Sequence, residues 1–368
     1  MSFSSQQKTH LAYFVTPHGY GHAARAAAIM ASITAIDPNI HFELFTQVPE
    51  WFFAASQPGA YTYHDCFSDV GLAQTTPLNE DLDLTLERLN RLLPFRPDNL
   101  ANLSKEILDA ECKLVVCDIA PLGIAAAQAA DLPSILIENF TWDWIYQGYL
   151  DSEPRFRQPI QYLHQVFAEA DYHIQTEPVC VPFSGSHLTT RPVSRTPRTS
   201  AGEIRSRLGI PSEVKIVLIS MGGIQGEFQF VQKLATLGGV YFIIPGGSQA
   251  TIQFEGNQVF LPHHSDFYHP DLMFASDMIV GKAGYSTIAE AYWAGVPFAY
   301  VSRQRFPEAA VMAEYIQRSI GGFEISGEVF QEGDWIPRLT EWLARPKILR
   351  QPPNGADQTA QFICRLVK

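Results

Sequence analysis

Two successive series of strand and helix patterns, separated by a stretch with no hydrophobic period, constrain this chain more than any other feature. In the first series, short apolar runs rich in β-branched and aromatic residues recur at 11–16, 41–46, 114–117, 134–137 and 172–175, with helical patterns between most of them. In the second they recur at 215–220, 241–245, 259–262, 278–280 and 298–301, interleaved with helical segments such as 286–294. Such alternation predicts a parallel sheet covered by helices, so the expected fold class is α/β, twice over. From Pro182 to about Ala201 the chain is rich in Ser, Thr, Pro and Arg and reads as an interdomain linker. The expected boundaries are 1–185 for the first domain, 186–201 for the linker and 202–350 for the second. A C-terminal helix in 351–368 is expected to pack back toward the first domain. At 368 residues the chain is long enough for two cores. Residues 67–102 fit the pattern less well: six leucines between Leu82 and Leu93 suggest a helix that Pro94 and Pro97 interrupt, and the region reads as a variable insertion.

Charge and cysteine content narrow the function. Lys and Arg total 26 against 38 Asp and Glu, a net charge of -12, which argues against a general binder of nucleic-acid backbone. Five cysteines without a CxxC pair indicate neither a disulfide framework nor a zinc site, and a reducing cytoplasm is expected. No apolar run reaches the roughly 20 residues of a membrane span, although peripheral membrane contact stays open.

The strand 11–16 leads into Pro17-His18-Gly19-Tyr20-Gly21-His22 and then the Ala-rich segment 23–31, a strong helix former. A glycine turn between a strand end and a helix start is where open α/β sheets bind ligands. Neither GxGxxG nor GxxxxGK followed by Ser or Thr is present, so hydride transfer and P-loop phosphoryl transfer lose support. His22 has two readings here, a proton acceptor near pH 7 or a turn histidine bonding local backbone. Asp118, at the end of strand 114–117, is either the carboxylate that orients such a base or the N-cap of the helix around 122–130.

In the second series, Gly222 and Gly223 follow strand 215–220, and a further glycine turn joins strand 278–280 to a helix beginning near Ser286 and Thr287. Hydroxyls, a helix N-terminus and Lys282 suit a diphosphate, and Glu290, one turn on, suits a ribose diol; the alternative is an ordinary capped helix with Glu290 as a surface carboxylate. Asn139, Trp142 and Asp143, beyond strand 134–137, combine aromatic faces with polar groups fit for a sugar acceptor; the alternative is that the tryptophans simply fill a core. His263, His264 and His269 lack the spacing of a metal motif, and no metal is expected.

Residues 282–290 resemble the donor-nucleotide motif of GT-B glycosyltransferases, including the bacterial enzyme that adds N-acetylglucosamine to lipid I. The closer resemblance is to the glycosyltransferase-like N-terminal half of plant L-arabinokinases, through HGYGHAAR (18–25), NFTWDWIY (139–146) and SDMIVGKAGYSTIAEA (276–291). It covers nearly the whole chain. In the arabinokinases this half is joined to a sugar kinase domain without counterpart in these residues, and kinase activity is not expected of them.

The resemblance implies a GT-B fold, two Rossmann-like parallel-sheet domains facing each other across a cleft. It implies His22 as catalytic base, with Asp118 in the place of the aspartate in the His-Asp dyad of plant UDP-glycosyltransferases. Acceptor binding is expected of His18, Gly19, Tyr20, Gly21, Arg25, Asn139, Trp142 and Asp143. Donor binding is expected of Gly222, Gly223, His263, Lys282, Gly284, Ser286, Thr287, Glu290 and Glu308. The activity expected is inverting, metal-independent transfer of a sugar from a nucleoside-diphosphate sugar, a UDP-sugar foremost, to an acceptor hydroxyl of a carbohydrate, lipid or small metabolite. No separate cofactor is expected. A non-catalytic nucleotide-sugar or carbohydrate-binding protein and a nucleotide-sugar epimerase are the alternatives.

Overall fold

A computed structural model describes residues 8–76, 79–221, 229–303 and 305–368, with the side chain of residue 76 left out. Gly222 and Gly223 lie outside the described residues.

The chain divides into two compact units. The first comprises Met1–Ser194, Phe306–Glu308 and Pro353–Lys368, and the second Arg195–Arg305 and Ala309–Pro352. Strands of the first unit are β1 (Thr9–Val15), β2 (Ile40–Thr46), β3 (Ala60–Asp65), β4 (Gln74–Thr76), β5 (Asn79–Glu80), β6 (Cys112–Asp118), β7 (Ser134–Glu138), β8 (Tyr172–Thr176) and β9 (Leu188–Thr190). Seven of them form a parallel sheet in the order β3-β2-β1-β6-β7-β8-β9, while β4 and β5 pair separately. The apolar residues of β1, Leu11 to Val15, are fully buried, as expected of a central strand covered on both faces.

The sheet order reverses between β1 and β6, the topological switch point at which open α/β sheets take their ligands. The helix Tyr20–Ile36 starts there, after β1. Its N-cap is Gly19 at φ 75, a left-handed conformation that glycine adopts without steric cost, and its first turn has neither a side-chain cap nor an acidic residue. The helix Gly355–Leu366 packs against it, and Ser32 donates to Asp357 at 2.9 Å. Residues 82–93 do form a helix, Leu82–Leu92, and a second, Pro97–Asp109, begins at the proline that interrupts the leucine pattern, proline being tolerated in a first helical turn.

The second unit repeats the plan with β10 (Lys215–Ser220), β11 (Val240–Ser248), β12 (Gln253–Glu255), β13 (Gln258–Pro262), β14 (Met278–Lys282), β15 (Phe298–Val301) and β16 (Phe323–Glu324). Their order is β12-β13-β11-β10-β14-β15-β16, with only β12 antiparallel. The switch point falls between β10 and β14, and the helix Tyr285–Ala294 follows β14.

The stretch read as a linker is tied down at both ends. Leu188–Thr190 forms β9 of the first sheet, and Asp271 of the second unit accepts from the backbone N–H groups of Arg198 (2.6 Å) and Thr199 (3.1 Å). A three-residue edge strand and side-chain anchors to backbone leave no hydrophobic period. No helix among the described residues is long and apolar enough to cross a membrane.

Gly281 pairs with Ser220 across the switch point at φ 156, and a Cβ there would lie 1.9 Å from the Ser220 carbonyl oxygen. That neighbour is backbone in a central strand and cannot turn aside. Gly281→Ala should therefore cost at least about 1–3 kcal/mol, read as a lower urea midpoint for the second unit.

Candidate active site

Three strand ends of the first unit meet at the guanidinium of Arg25, two residues past the first turn of its helix. Its Nε donates to Asp118 Oδ2 at 2.8 Å and Nη2 to Asp118 Oδ1 at 2.6 Å, a bidentate pair. Nη1 donates to Asn139 Oδ1 at 2.8 Å and Thr176 Oγ1 at 3.2 Å. These partners stand at or just beyond the ends of β6, β7 and β8, and the helix bearing Arg25 follows β1. Arg25 and Asp118 are both sealed from solvent. Arg25, expected from the resemblance to bind the acceptor, thus has its charge committed inside the protein.

His22, one turn before Arg25, puts Nδ1 3.2 Å from Asp118 Oδ1 and 3.2 Å from Arg25 Nη2. Asp118 does not cap the following helix, whose N-cap is Ala120 with no side-chain bond. Of its two sequence readings, the structure supports the carboxylate beside the imidazole. Burial lowers the His22 pKa, with Asp118 acting against the shift and Arg25 with it, so the ring is neutral at pH 7. Asp118 is held below its ordinary value because Arg25, and to a lesser extent His22, outweigh its burial. Phe140 meets the His22 ring edge-on at 5.8 Å.

The remaining acceptor-side residues fall into three groups. His18, Gly19, Tyr20 and Gly21 form the turn itself: His18 accepts from Leu72 N–H at 3.4 Å and meets Trp142 edge-on, and Tyr20 stacks on Phe52. Trp142 is fully buried against His18, Phe140 and Tyr146, filling the core beneath the turn. Asn139 and Asp143 bond within the protein, Asn139 donating to Glu308 Oε1 at 2.7 Å and Asp143 Oδ2 pairing with His164 at 3.0 Å. Glu308, expected on the donor side, therefore belongs to the first unit.

Asp69 was not visible as a candidate in the sequence. Its Oδ1 accepts from Thr16 at 2.7 Å, its Oδ2 has no partner among the described residues, and burial pushes its pKa up to about 7. Only the fold brings it beside the end of β1, and nothing in its local sequence marks it.

In the second unit, the helix Tyr285–Ala294 has Gly284 as its N-cap and no side-chain cap bond there, and Ser286 and the half-buried Lys282 stand at that helix end. Thr287 is buried in that turn, and His263 is half-buried beyond β13. Glu290 is not a surface carboxylate. Its Oε1 accepts from Arg195 Nε (3.1 Å) and Nη2 (2.9 Å), its Oε2 pairs with His269 Nδ1 at 2.8 Å, and His269 Nε2 lies 3.4 Å from Ser220 Oγ. Arg195 and His269 keep the carboxyl ionised despite burial. Arg195 lay in the stretch read as linker, and its spacing from Glu290 carries no local signal.

Two doubly wound units, each with a glycine turn at its switch point, define the GT-B class of fold. A family model, glycosyl transferase family 1, matches residues 9–332, and the chain belongs to that family. Arabidopsis thaliana L-arabinokinase is 26% identical over 356 residues, covering 96% of this chain but 34% of the relative, so the chain spans about a third of that protein's length. A Polygonum tinctorium UDP-glucosyltransferase superposes with TM-score 0.60 at 14% identity, covering 99% of both chains. Acinetobacter baumannii MurG superposes with TM-score 0.54 at 13% identity, covering 98% of this chain and 99% of that one. The protein is a glycosyltransferase by family and fold.

Two outcomes follow from the Arg25 network. Arg25→Met leaves a buried carboxylate without its cation and should cost about 3–5 kcal/mol in urea unfolding at neutral pH. For His22, whose folded pKa lies below the unfolded value of about 6.5, the unfolded state binds the extra proton as pH falls. Wild type should thus lose stability relative to His22→Gln as pH is lowered from 7 to 5, measured by paired urea titrations.

Proposed function

We propose that this chain transfers a sugar from a nucleoside-diphosphate sugar, a UDP-sugar foremost, to an acceptor hydroxyl with inversion at the anomeric carbon. The observation that carries this reading is the buried His22-Asp118 pair, clamped by Arg25 at the switch point of the first sheet. With Nδ1–H donating to Asp118, the lone pair of Nε2 accepts the acceptor's proton as its oxygen attacks the anomeric carbon. Asp118 steadies the imidazolium that results. The leaving diphosphate takes its hydrogen bonds from the first-turn amides of Tyr285–Ala294, the Ser286 hydroxyl and Lys282, which supply the positive potential without a metal. Gly222 and Gly223 belong to this donor set by their position after β10 in the sequence alone. Glu290 supports it at one remove, by holding His269 and Arg195.

One observation favours a second reading. Arg25 Nη2 is as near His22 Nδ1 as Asp118 is. Were Nδ1 to accept from Arg25, Nε2 would carry the hydrogen and the ring would be no base. The chain would then bind nucleotide sugar without turnover, a role the partial span of L-arabinokinase also accommodates.

Calorimetry against a panel of nucleoside diphosphates and nucleotide sugars should find one tight binder, weakened by Ser286→Ala with Lys282→Ala. With that donor and an acceptor library, His22→Ala should lower kcat by about 10²–10⁴-fold while leaving nucleotide affinity unchanged. The wild-type rate should fall on the acid side below pH 6.5 as His22 is protonated, and the residual rate of His22→Ala should not. Nucleotide binding with no product from any acceptor, and Nε2–H in the ¹⁵N spectrum, would establish the binding role instead.

A further inference from the structure

Three imidazoles converge on one carboxylate at a place in the first sheet that glycosyl transfer does not use. His10 and His41 are register partners on β1 and β2, and Glu43 lies two residues along β2, on the same face as His41. His10 Nδ1 is 2.9 Å from Glu43 Oε1, and His41 Nε2 is 3.8 Å from the same oxygen. One ligand atom from each of the three lies within 4.8 Å of the other two. His64, on β3, pairs through Nε2 with the second oxygen of Glu43 at 2.7 Å.

From this geometry we propose a binding site for a divalent transition metal of the zinc type, with His10, His41 and Glu43 as ligands and His64 as the outer partner of Glu43. Two imidazoles and a carboxylate are a common zinc set that leaves a fourth position for water. A tetrahedral ion bonded at about 2.0–2.1 Å holds its donors about 3.3 Å apart, between the 2.9 and 3.8 Å separations found here. Small side-chain rotations would open the His10–Glu43 contact to admit the ion.

The ligands are also held in place. The His10 and His41 rings face each other with centroids 4.9 Å apart, and His64 stacks on Phe45 at 4.3 Å while it grips Glu43. A bond from an imidazole to the far oxygen of a ligating carboxylate fixes its orientation. His41 Nε2 also lies 2.8 Å from Thr62 Oγ1 on β3, a contact the hydroxyl gives up by rotating when Nε2 takes the ion. The ligands His10 and His41 lie toward the amino-terminal ends of their strands, whereas His22 and Asp118 stand at carboxyl ends.

The test uses the full chain, stripped with a chelator and titrated with zinc alone against a chromophoric competitor. One equivalent should bind in the wild type. His41→Asn and Glu43→Gln should abolish it, His64→Gln should weaken it by about 10- to 100-fold, and His263→Gln with His264→Gln should leave it intact. The melting temperature of the wild type should rise with zinc and that of His41→Asn should not. Should a ligand variant fail to fold, cobalt on the wild type decides: a visible absorption band of four-coordinate N/O ligation is expected. Absence of stoichiometric zinc binding, a missing cobalt band, or binding that survives in folded His41→Asn overturns the site.

Discussion

The buried ion pair of Arg25 and Asp118 is the interaction on which the first unit's site depends. A lone carboxylate at the end of a central strand would cost several kcal/mol to bury. A bidentate guanidinium offsets that cost and at once takes Asn139 and Thr176 as further acceptors. The ends of β6, β7 and β8 are thereby tied to the helix that follows β1, and His22 receives its carboxylate partner from the same arrangement. Removal of Arg25 would leave the Asp118 carboxylate without its cation and take a hydrogen-bond donor from Asn139 and Thr176, which is why its role is structural and electrostatic together.

That network also sets the limits on His22 as a base. Asp118 raises the ring's proton affinity, while burial and Arg25 lower it, and the balance leaves the ring neutral at pH 7. A neutral imidazole with a firm Nδ1 partner can accept a proton at Nε2. A guanidinium 3.2 Å from the same Nδ1 competes for that atom. The choice of tautomer thus separates an enzyme from a binding protein on one and the same frame, and it turns on one hydrogen.

Strand positions were legible because a buried parallel strand needs a continuous apolar run, and β1, β6, β7, β10 and β14 each have one. The glycine turn and the Asp at the end of β6 were legible because ligand sites of such sheets recur at carboxyl strand ends. What escaped was set by long-range pairing. Arg195 and Glu290 are ninety-five positions apart, Arg25 and Thr176 a hundred and fifty-one, and no local pattern announces either. Trp142 and Asp143, beside a strand end, had the composition of a sugar site; the tryptophan is buried and Asp143 Oδ2 pairs with His164, while Trp142 Nε1 and Asp143 Oδ1 have no partner among the described residues. Glu308 likewise reads as a donor-loop carboxylate until the fold sets it on Asn139. β3 and β9 were missed for another reason: edge strands are half exposed, and their polar alternation does not stand out from a loop.

The two units solve one problem in opposite ways. Each has a switch point with a glycine turn and an uncapped helix N-terminus, and each buries an arginine-carboxylate pair behind it. In the first unit the carboxylate faces the histidine that would move a proton, so the pair tunes a reacting group. In the second the carboxylate is enclosed by Arg195 and His269, and its ion pair fixes the backbone segment of Arg195 against the helix Tyr285–Ala294. Buried charge in the first unit thus sets the protonation of a histidine, and in the second it rigidifies the chain around the helix Tyr285–Ala294.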